Sequence, residues 1–308
     1  MPSILGPVPT PTPGPWRRTE NYLILGTDQW DTIDGGRTDV IMIAAIDWEH
    51  QRVGVIHIPR DLYVSIPGVG EDRINTVYLH GESRGYPGGG LALLRRVLTE
   101  TLGIETTHYV RVNMQGVYRL VDALGGVTVT LECPLLEAAP DPEVEGGLVE
   151  WYLPAGDVYL DGRLALRFVR WRYYSSDLDR ARRQFQLMWA IRNRALQIDV
   201  IPKIPGLMDA LQEMFKTDLA IGDILRLARL GAQLRAEDVR GLVLDSDLIE
   251  PYTTENGAYV LRITDLDLLR QRVDHVFDAP PLRDSTSRGG HCPPLRHEVS
   301  PSQAIETP

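Results

Sequence analysis

Asn21-Tyr22-Leu23-Ile24-Leu25-Gly26-Thr27-Asp28, Arg37-Thr38-Asp39-Val40-Ile41-Met42-Ile43-Ala44-Ala45-Ile46-Asp47 and Arg52-Val53-Gly54-Val55-Ile56-His57-Ile58-Pro59-Arg60-Asp61 are the stretches that decide the fold. Each holds a short, nearly continuous apolar run rich in β-branched residues, the pattern of a strand buried on both faces. Residues 48–51 make a short connection, so the second and third runs are predicted to form a hairpin. Each run also ends or begins beside an aspartate or an Arg-Asp pair. Side chains at strand ends converge when the strands are neighbours, so one rim of the sheet is predicted to collect carboxylates and guanidinium groups.

Outward from these runs the pattern alternates. Gly88-Gly89-Gly90 opens a helical repeat of Leu91, Leu94, Val97, Leu98 and Leu102, closed by Gly103. Tyr109–Asn113 reads as a strand, Gln115–Leu124 as a helix and Val127–Leu131 as a further strand. This strand-helix-strand order predicts helices covering a central sheet. Asp161 is expected to cap a short helix through Arg167, with Arg170 and Arg172 beyond it in an extended segment, both facing one side. A long helix follows over Asp177–Gln197 with Phe185, Met188, Trp189 and Leu196 inward, and for Arg182 and Arg183 a solvated face is favoured. Two more helices are expected over Pro205–Phe215 and Ile221–Leu234, edge strands over Val239–Leu244 and Ala258–Ile263, and a last helix over Asp265–Phe277. Glu137–Gly147, acidic and Pro-rich, reads as a surface excursion. Residues 1–16 read as a Pro-rich linker of polyproline type, 17–278 as the folded domain, and 279–308 as a disordered tail.

The composition narrows the function. The net charge of −10 over 308 residues argues against a nucleic-acid partner. Lysine occurs only at Lys203 and Lys216, so nearly all positive charge is arginine. A local arginine cluster in an acidic protein is therefore informative. Guanidinium forks match phosphate oxygens, and carboxylates hold Mg²⁺ against a phosphate. Arg180 and Gln184, four apart, share a helix face near an N-terminus, where anions are favoured. The two cysteines, Cys133 and Cys292, have no metal-site spacing. Cys292 lies in the Pro/Gly/Ser-rich tail, so no disulfide is expected and the compartment stays open. No apolar run is long enough to cross a membrane.

Taken in series, these motifs resemble the LytR-CpsA-Psr family of bacterial cell-envelope phosphotransferases. The residues that carry the resemblance are Asn21–Asp28, Arg37-Thr38-Asp39, Ile58-Pro59-Arg60-Asp61, Asp72-Arg73-Ile74-Asn75, Leu120–Val127, Leu153-Pro154-Ala155-Gly156 with Leu160-Asp161-Gly162, Ala165–Arg170, and Asp179–Gln184. The resemblance implies a three-layer α/β/α sandwich with a central mixed sheet and a deep apolar cavity for a polyprenyl tail. It implies transfer of a glycopolymer from a polyprenyl-pyrophosphate carrier to peptidoglycan or another envelope acceptor, at the membrane surface on its extracytoplasmic face. The anchor helix usual in the family is missing from this chain. Carried over by position, Asp28 and Asp39 are implied Mg²⁺ ligands, and Arg60, Arg170 and Arg172 an implied diphosphate clamp. Arg180 and Gln184 are further implied contacts, with Arg37 and Arg73 nearby. Trp30 stands where the family often has arginine. Candidates to line the tail channel are Met188, Trp189, Ile204, Leu207, Met208, Leu211, Met214, Phe215, Ile224 and Leu227, for which ordinary core is the competing reading. Hydrolysis of the polyprenyl diphosphate and non-catalytic glycolipid binding are the alternative functions.

Overall fold

Leu23 and Leu25 turn to one side of the first strand and Tyr22 to the other, and both sides are buried, as a doubly covered sheet requires. This is a computed structural model, and it describes residues 18–30, 32–140, 148–170, 174, 177–198, 201–282 and 291–295. In chain order the elements are β1 (Glu20–Thr27), β2 (Thr38–Asp47), β3 (Arg52–Ile58), β4 (Tyr63–Ile66), β5 (Gly70–Arg73), α1 (Val77–Ser83), α2 (Gly89–Leu102), β6 (His108–Val112), α3 (Met114–Ala123), β7 (Val127–Leu131) and β8 (Leu135–Pro140). They continue as β9 (Leu148–Leu153), β10 (Gly156–Leu160), α4 (Gly162–Arg170), α5 (Asp177–Gln197), α6 (Ile204–Leu211), β11 (Phe215–Thr217), α7 (Ile221–Gln233), β12 (Val239–Val243), β13 (Ile249–Thr253), β14 (Tyr259–Ile263) and α8 (Leu266–Asp274).

Six strands form the central sheet in the order β11-β6-β1-β2-β3-β12. It is mixed: β1–β2, β2–β3 and β6–β11 run antiparallel, whereas β1–β6 and β3–β12 run parallel. On one face Leu23, Leu25, Ile41, Ile43, Ile56 and Ile58 pack against α1, α2 and α8 through Tyr78, Leu94, Val97, Leu98 and Val273. On the other, Tyr22, Met42 and Val55 meet Phe185 of α5 and Leu230 of α7. A further apolar cluster joins Val121 of α3, Phe168 of α4 and Leu187 of α5 to the β7–β10 ladder and Trp151. The expected three-layer α/β/α arrangement is thus present.

Several local expectations are corrected. Phe215 lies in β11, not at the end of a helix, because α6 stops at Leu211 and the chain returns to pair with β6. Residues 259–263 pair with β13 in a separate hairpin instead of forming a sheet edge. Met188 and Leu196 are exposed, so only part of the apolar stripe of α5 faces inward. Glu137 and Arg183, expected at the surface, are buried and paired with each other at 3.1 Å. A sequence read for polarity places both outside; burial is possible because each charge neutralises the other.

Cys133 and Cys292 form a disulfide, contrary to the expectation from the tail's composition. Residues 279–282 also dock on the sheet edge, where Arg240 Nη1 donates to the Ala279 carbonyl at 3.1 Å and Arg240 bridges Pro281. A cross-link spanning 159 residues restrains the unfolded chain strongly. The double variant Cys133→Ser/Cys292→Ser is therefore expected to lose about 2–4 kcal/mol, read as a lower urea midpoint. Unchanged stability would show that the bond constrains nothing outside the tail.

Candidate active site

The register of the sheet builds the site. Gly26 pairs with Val40 across the β1–β2 ladder, and Ile41 pairs with Ile58 across β2–β3. The end of β1, the start of β2 and the end of β3 therefore share one rim, bringing Asp28, Asp39 and Arg60 together. The parallel β6 ends on the same rim, with Val112 opposite Gly26. Asn113 caps α3 there, its side chain accepting from the Gly116 N–H at 2.8 Å. Ligand crevices form outside the carboxyl ends of strands in open α/β sheets, and three of the four strands here present that end.

A cavity of about 530 Å³ opens at this rim, within the span of small-molecule sites. Its polar lining includes Asp28, Asp39, Arg60, Arg170, Arg180 and Gln184. Three arginines meet two aspartates in a protein whose overall charge is −10. The remaining wall is largely apolar and includes Val40, Val112, Met114, Val117, Leu166 and Val169. None of the ten residues expected to form the lipid channel lines this cavity. Ile204, Leu211 and Met214 among them are buried.

Each polar group is held in a defined way. Asp39 Oδ2 accepts from Arg60 Nη1 at 2.7 Å, and Oδ1 accepts from Asn75 Nδ2 at 3.3 Å. Arg60 also lies 3.5 Å from Asp61, which in turn faces Arg73 at 3.4 Å. Asp28 Oδ1 accepts from the Arg37 N–H at 2.9 Å and from Gln29 Nε2 at 3.3 Å, so this carboxylate closes the loop between β1 and β2. Gly36 permits that closure: its φ is +77°, and a Cβ there would sit 2.7 Å from Asp28 Oδ1.

Arg170 is the last residue of α4, not part of an extended segment as expected, and its side chain opens to solvent at the mouth of the cavity. Removal from bulk water nonetheless pulls its pKa below the ordinary arginine value; Asp39 and Asp28 oppose that shift and Arg60 reinforces it. Exposure and desolvation coexist because protein surrounds the group on several sides while one side stays wet. A guanidinium keeps its charge under such a shift, so the site holds a partly dehydrated cation at its mouth. Arg180 and Gln184, one turn apart on α5, are both buried at the cavity wall.

The other expected residues lie apart. Arg73 donates to the Tyr259 carbonyl at 2.8 Å and joins β5 to β14, outside the cavity lining. The Arg37 side chain is exposed; its contribution is the backbone clasp on Asp28. Arg172 lies outside the described residues. No cluster of three acidic, histidine or cysteine side chains suited to a metal occurs among the described residues. Two carboxylates fit Mg²⁺ only where a phosphate supplies further oxygens, which is the usual way this ion is held.

His57 was not singled out by sequence reasoning, yet it touches the site. Its Nε2 lies 3.1 Å from Gln184 Oε1, and its ring meets Phe185 edge-on. The signal was a lone polar residue inside an apolar strand, which needs a partner if buried. Burial holds its pKa down to about 4; the Gln184 hydrogen bond opposes this and nearby Arg180 adds to it. The unfolded chain takes up a proton near pH 6.5, while the folded protein refuses it until about pH 4. Stability supplied by neutral His57 is full above pH 6.5 and falls by about 3 kcal/mol as pH drops to 4. Urea midpoints measured from pH 7 to 4 should fall more steeply for the native protein than for His57→Phe; parallel curves would contradict the assignment.

Comparison with known proteins bears on the family and the fold. The LytR_cpsA_psr family model matches residues 15–273. The polyisoprenyl-teichoic acid–peptidoglycan teichoic acid transferase TagU of Oceanobacillus iheyensis is 36% identical over 65% of this chain and 58% of its own length. The corresponding transferase TagT of Bacillus subtilis is 28% identical over 69% of this chain and 64% of its own length. The chain thus spans less than two thirds of these relatives. Among solved structures, B. subtilis TagV superposes with a TM-score of 0.66 at 21% identity, covering 86% of this chain and 99% of that one. TagT bound to LI-WTA gives 0.64 at 24% identity, covering 85% and 92%. These structures share the fold. Since the family match runs from ahead of β1 into α8, across the sheet and every element that carries the cavity, the chain belongs to the LytR_cpsA_psr family.

Proposed function

We propose that this protein transfers a glycopolymer, as its phosphate, from a polyprenyl-diphosphate carrier to peptidoglycan, with Mg²⁺ as cofactor. The observation that carries the reading is the meeting of Arg60, Arg170 and Arg180 with Asp28 and Asp39 in one cavity with an apolar wall. Membership of the family and the activity named for TagU and TagT support it. A diphosphate fits the three cations, and the first isoprene units of the tail fit the wall formed by Val112, Val117, Leu166 and Val169.

In this reading a hydroxyl of the acceptor attacks the phosphorus next to the sugar. The new P–O bond forms as the bond to the lipid phosphate breaks, polyprenyl phosphate leaves, and the hydroxyl proton passes to solvent. Negative charge grows on the phosphoryl oxygens and the leaving group. Arginines fixed by Asp39 and by α5 stabilise that charge with little reorganisation. Bound by Asp28 and Asp39, Mg²⁺ would supply further charge neutralisation at the diphosphate. A disulfide persists in an oxidising compartment, which supports action on the outer side of the membrane. None of the described helices is long and apolar enough to cross a membrane.

The test is transfer of a radiolabelled wall polymer from a short-chain polyprenyl diphosphate to peptidoglycan fragments, with Mg²⁺ titrated. Label attached to peptidoglycan is the expected product. Free polymer phosphate regardless of acceptor would replace transfer by hydrolysis, and tight lipid binding without turnover would leave only a carrier. Asp39→Asn is expected to raise the Mg²⁺ needed for half-maximal rate by more than about tenfold. An unchanged Mg²⁺ dependence would remove Asp39 from the metal site.

A further inference from the structure

His57 is a buried polar group for which the proposed chemistry has no role. It is 4% exposed, sits in β3 behind the cavity wall, and its Nδ1 has no hydrogen-bond partner. Its Nε2 faces Gln184 Oε1 at 3.1 Å. Gln184 is itself 6% exposed and lines the cavity. The Gln184 amide nitrogen donates to the Val169 carbonyl at 3.4 Å. Val169 lies in the last turn of α4, where carbonyls have no partner within the helix.

These contacts fix an orientation, assigned from the hydrogen-bond network. The Val169 carbonyl can only accept, so the NH₂ of Gln184 must face it. The Gln184 carbonyl then faces His57, which must donate through Nε2–H and leave Nδ1 bare. Reversing the amide would set two carbonyl oxygens against each other. It would also place a buried Nδ1–H on His57 with nothing to accept it. Both outcomes leave buried polar groups unsatisfied.

We propose that His57 is a positioning residue for Gln184. Its Nε2–H holds the side-chain amide with the carbonyl turned away from the cavity and the NH₂ on the Val169 side. Gln184 then meets an anion as a donor alongside Arg180, one turn earlier on α5. A carbonyl in that place would repel a phosphate oxygen. The ligand this arrangement selects is the diphosphate of the prenyl carrier, so the inference rests on the functional reading above.

Farnesyl diphosphate with Mg²⁺ is the probe, with binding measured by calorimetry for the full chain. His57→Phe keeps a flat ring but removes the donor, and is expected to weaken binding about tenfold, as does Gln184→Ala. In the Gln184→Ala background, His57→Phe should add less than about twofold, because the group it orients is gone. His57→Gln, which restores an N–H, should recover most of the affinity. Equal losses from His57→Phe in both backgrounds, or no loss in either, would overturn the inference while leaving the diphosphate site intact. Absence of binding by the unaltered protein would overturn the diphosphate reading and this inference with it. If His57→Phe fails to fold, ring ¹⁵N shifts of the unaltered protein decide: a protonated Nε2 and bare Nδ1 are expected, and a protonated Nδ1 refutes the orientation.

Discussion

Arg60→Ala is expected to lower the rate of transfer by about 10²–10³-fold while leaving the protein folded. Arg60 lines the cavity, contacts Asp39 at 2.7 Å and reaches toward Asp61. Its position follows from the β2–β3 register, which sets the end of one strand beside the start of the other. In the proposed reaction it meets charge that develops only in the transition state, so its loss lowers kcat more than it raises KM. The stability cost is small because the side chain remains 26% exposed and Asp61 keeps Arg73 as a partner. Arg60→Lys should recover little, since a single ammonium does not reproduce the guanidinium fork. Single-turnover rates with a thermal melt beside them decide the matter. Wild-type turnover in Arg60→Ala would exclude the cavity as the reacting centre.

Glu137→Ala is expected to cost about 3–5 kcal/mol of stability, the largest effect of any single change considered. Glu137 is fully buried and accepts from Arg183 Nη1 at 3.1 Å and from the Tyr174 N–H at 3.1 Å. Removing the carboxylate takes from the buried Arg183 guanidinium the Glu137 contact that helps offset its loss of water. The double variant Glu137→Ala/Arg183→Met should be more stable than Glu137→Ala alone, since the buried guanidinium is removed together with its Glu137 partner. Activity should fall as well. Glu137 anchors Tyr174, and Tyr174 lies between α4, which ends at Arg170, and α5, which carries Arg180 and Gln184. Urea denaturation of the two variants provides the measurement. A loss below about 1 kcal/mol for Glu137→Ala would mean that water reaches the pair.

The central strands β1, β2, β3, β6 and β12 were legible because their signal is local, whereas short strands such as β4, β5 and β11 carry too few residues to show a pattern. A run such as Val53–Ile58 can be satisfied only by burial on both faces, and a four-residue connection leaves a hairpin as the simplest path. The helices of α2 and α5 were legible for the same reason, from spacing and terminal glycine or aspartate. The rim was legible in outline. Asp28, Asp39 and Arg60 flank apolar runs, and once the runs are neighbours their ends must meet. Arg180 and Gln184 follow from four-residue spacing on one helix.

Other features were not legible because their cause is distant in sequence. Glu137 reads as a surface acid until Arg183, 46 residues on, is brought against it. His57 is an oddity in a strand until Gln184, 127 residues away, offers an acceptor. Cys292 looks loose in a Pro-rich tail, yet pairs with Cys133. Arg73 sits in the same kind of motif as Arg60, but a different strand pairing sends it to the Tyr259 carbonyl.

By itself the sequence determined the layered α/β architecture and the acids and arginines available at its rim, because hydrophobic periodicity and strand-end position are properties of short segments. Tertiary structure alone decided which of those charges share a cavity, which polar groups are buried in pairs, and where the apolar wall lies. Those outcomes depend on register and on contacts between residues far apart in the chain, where the strength of a charge or hydrogen bond is set by the partner and the loss of water around it.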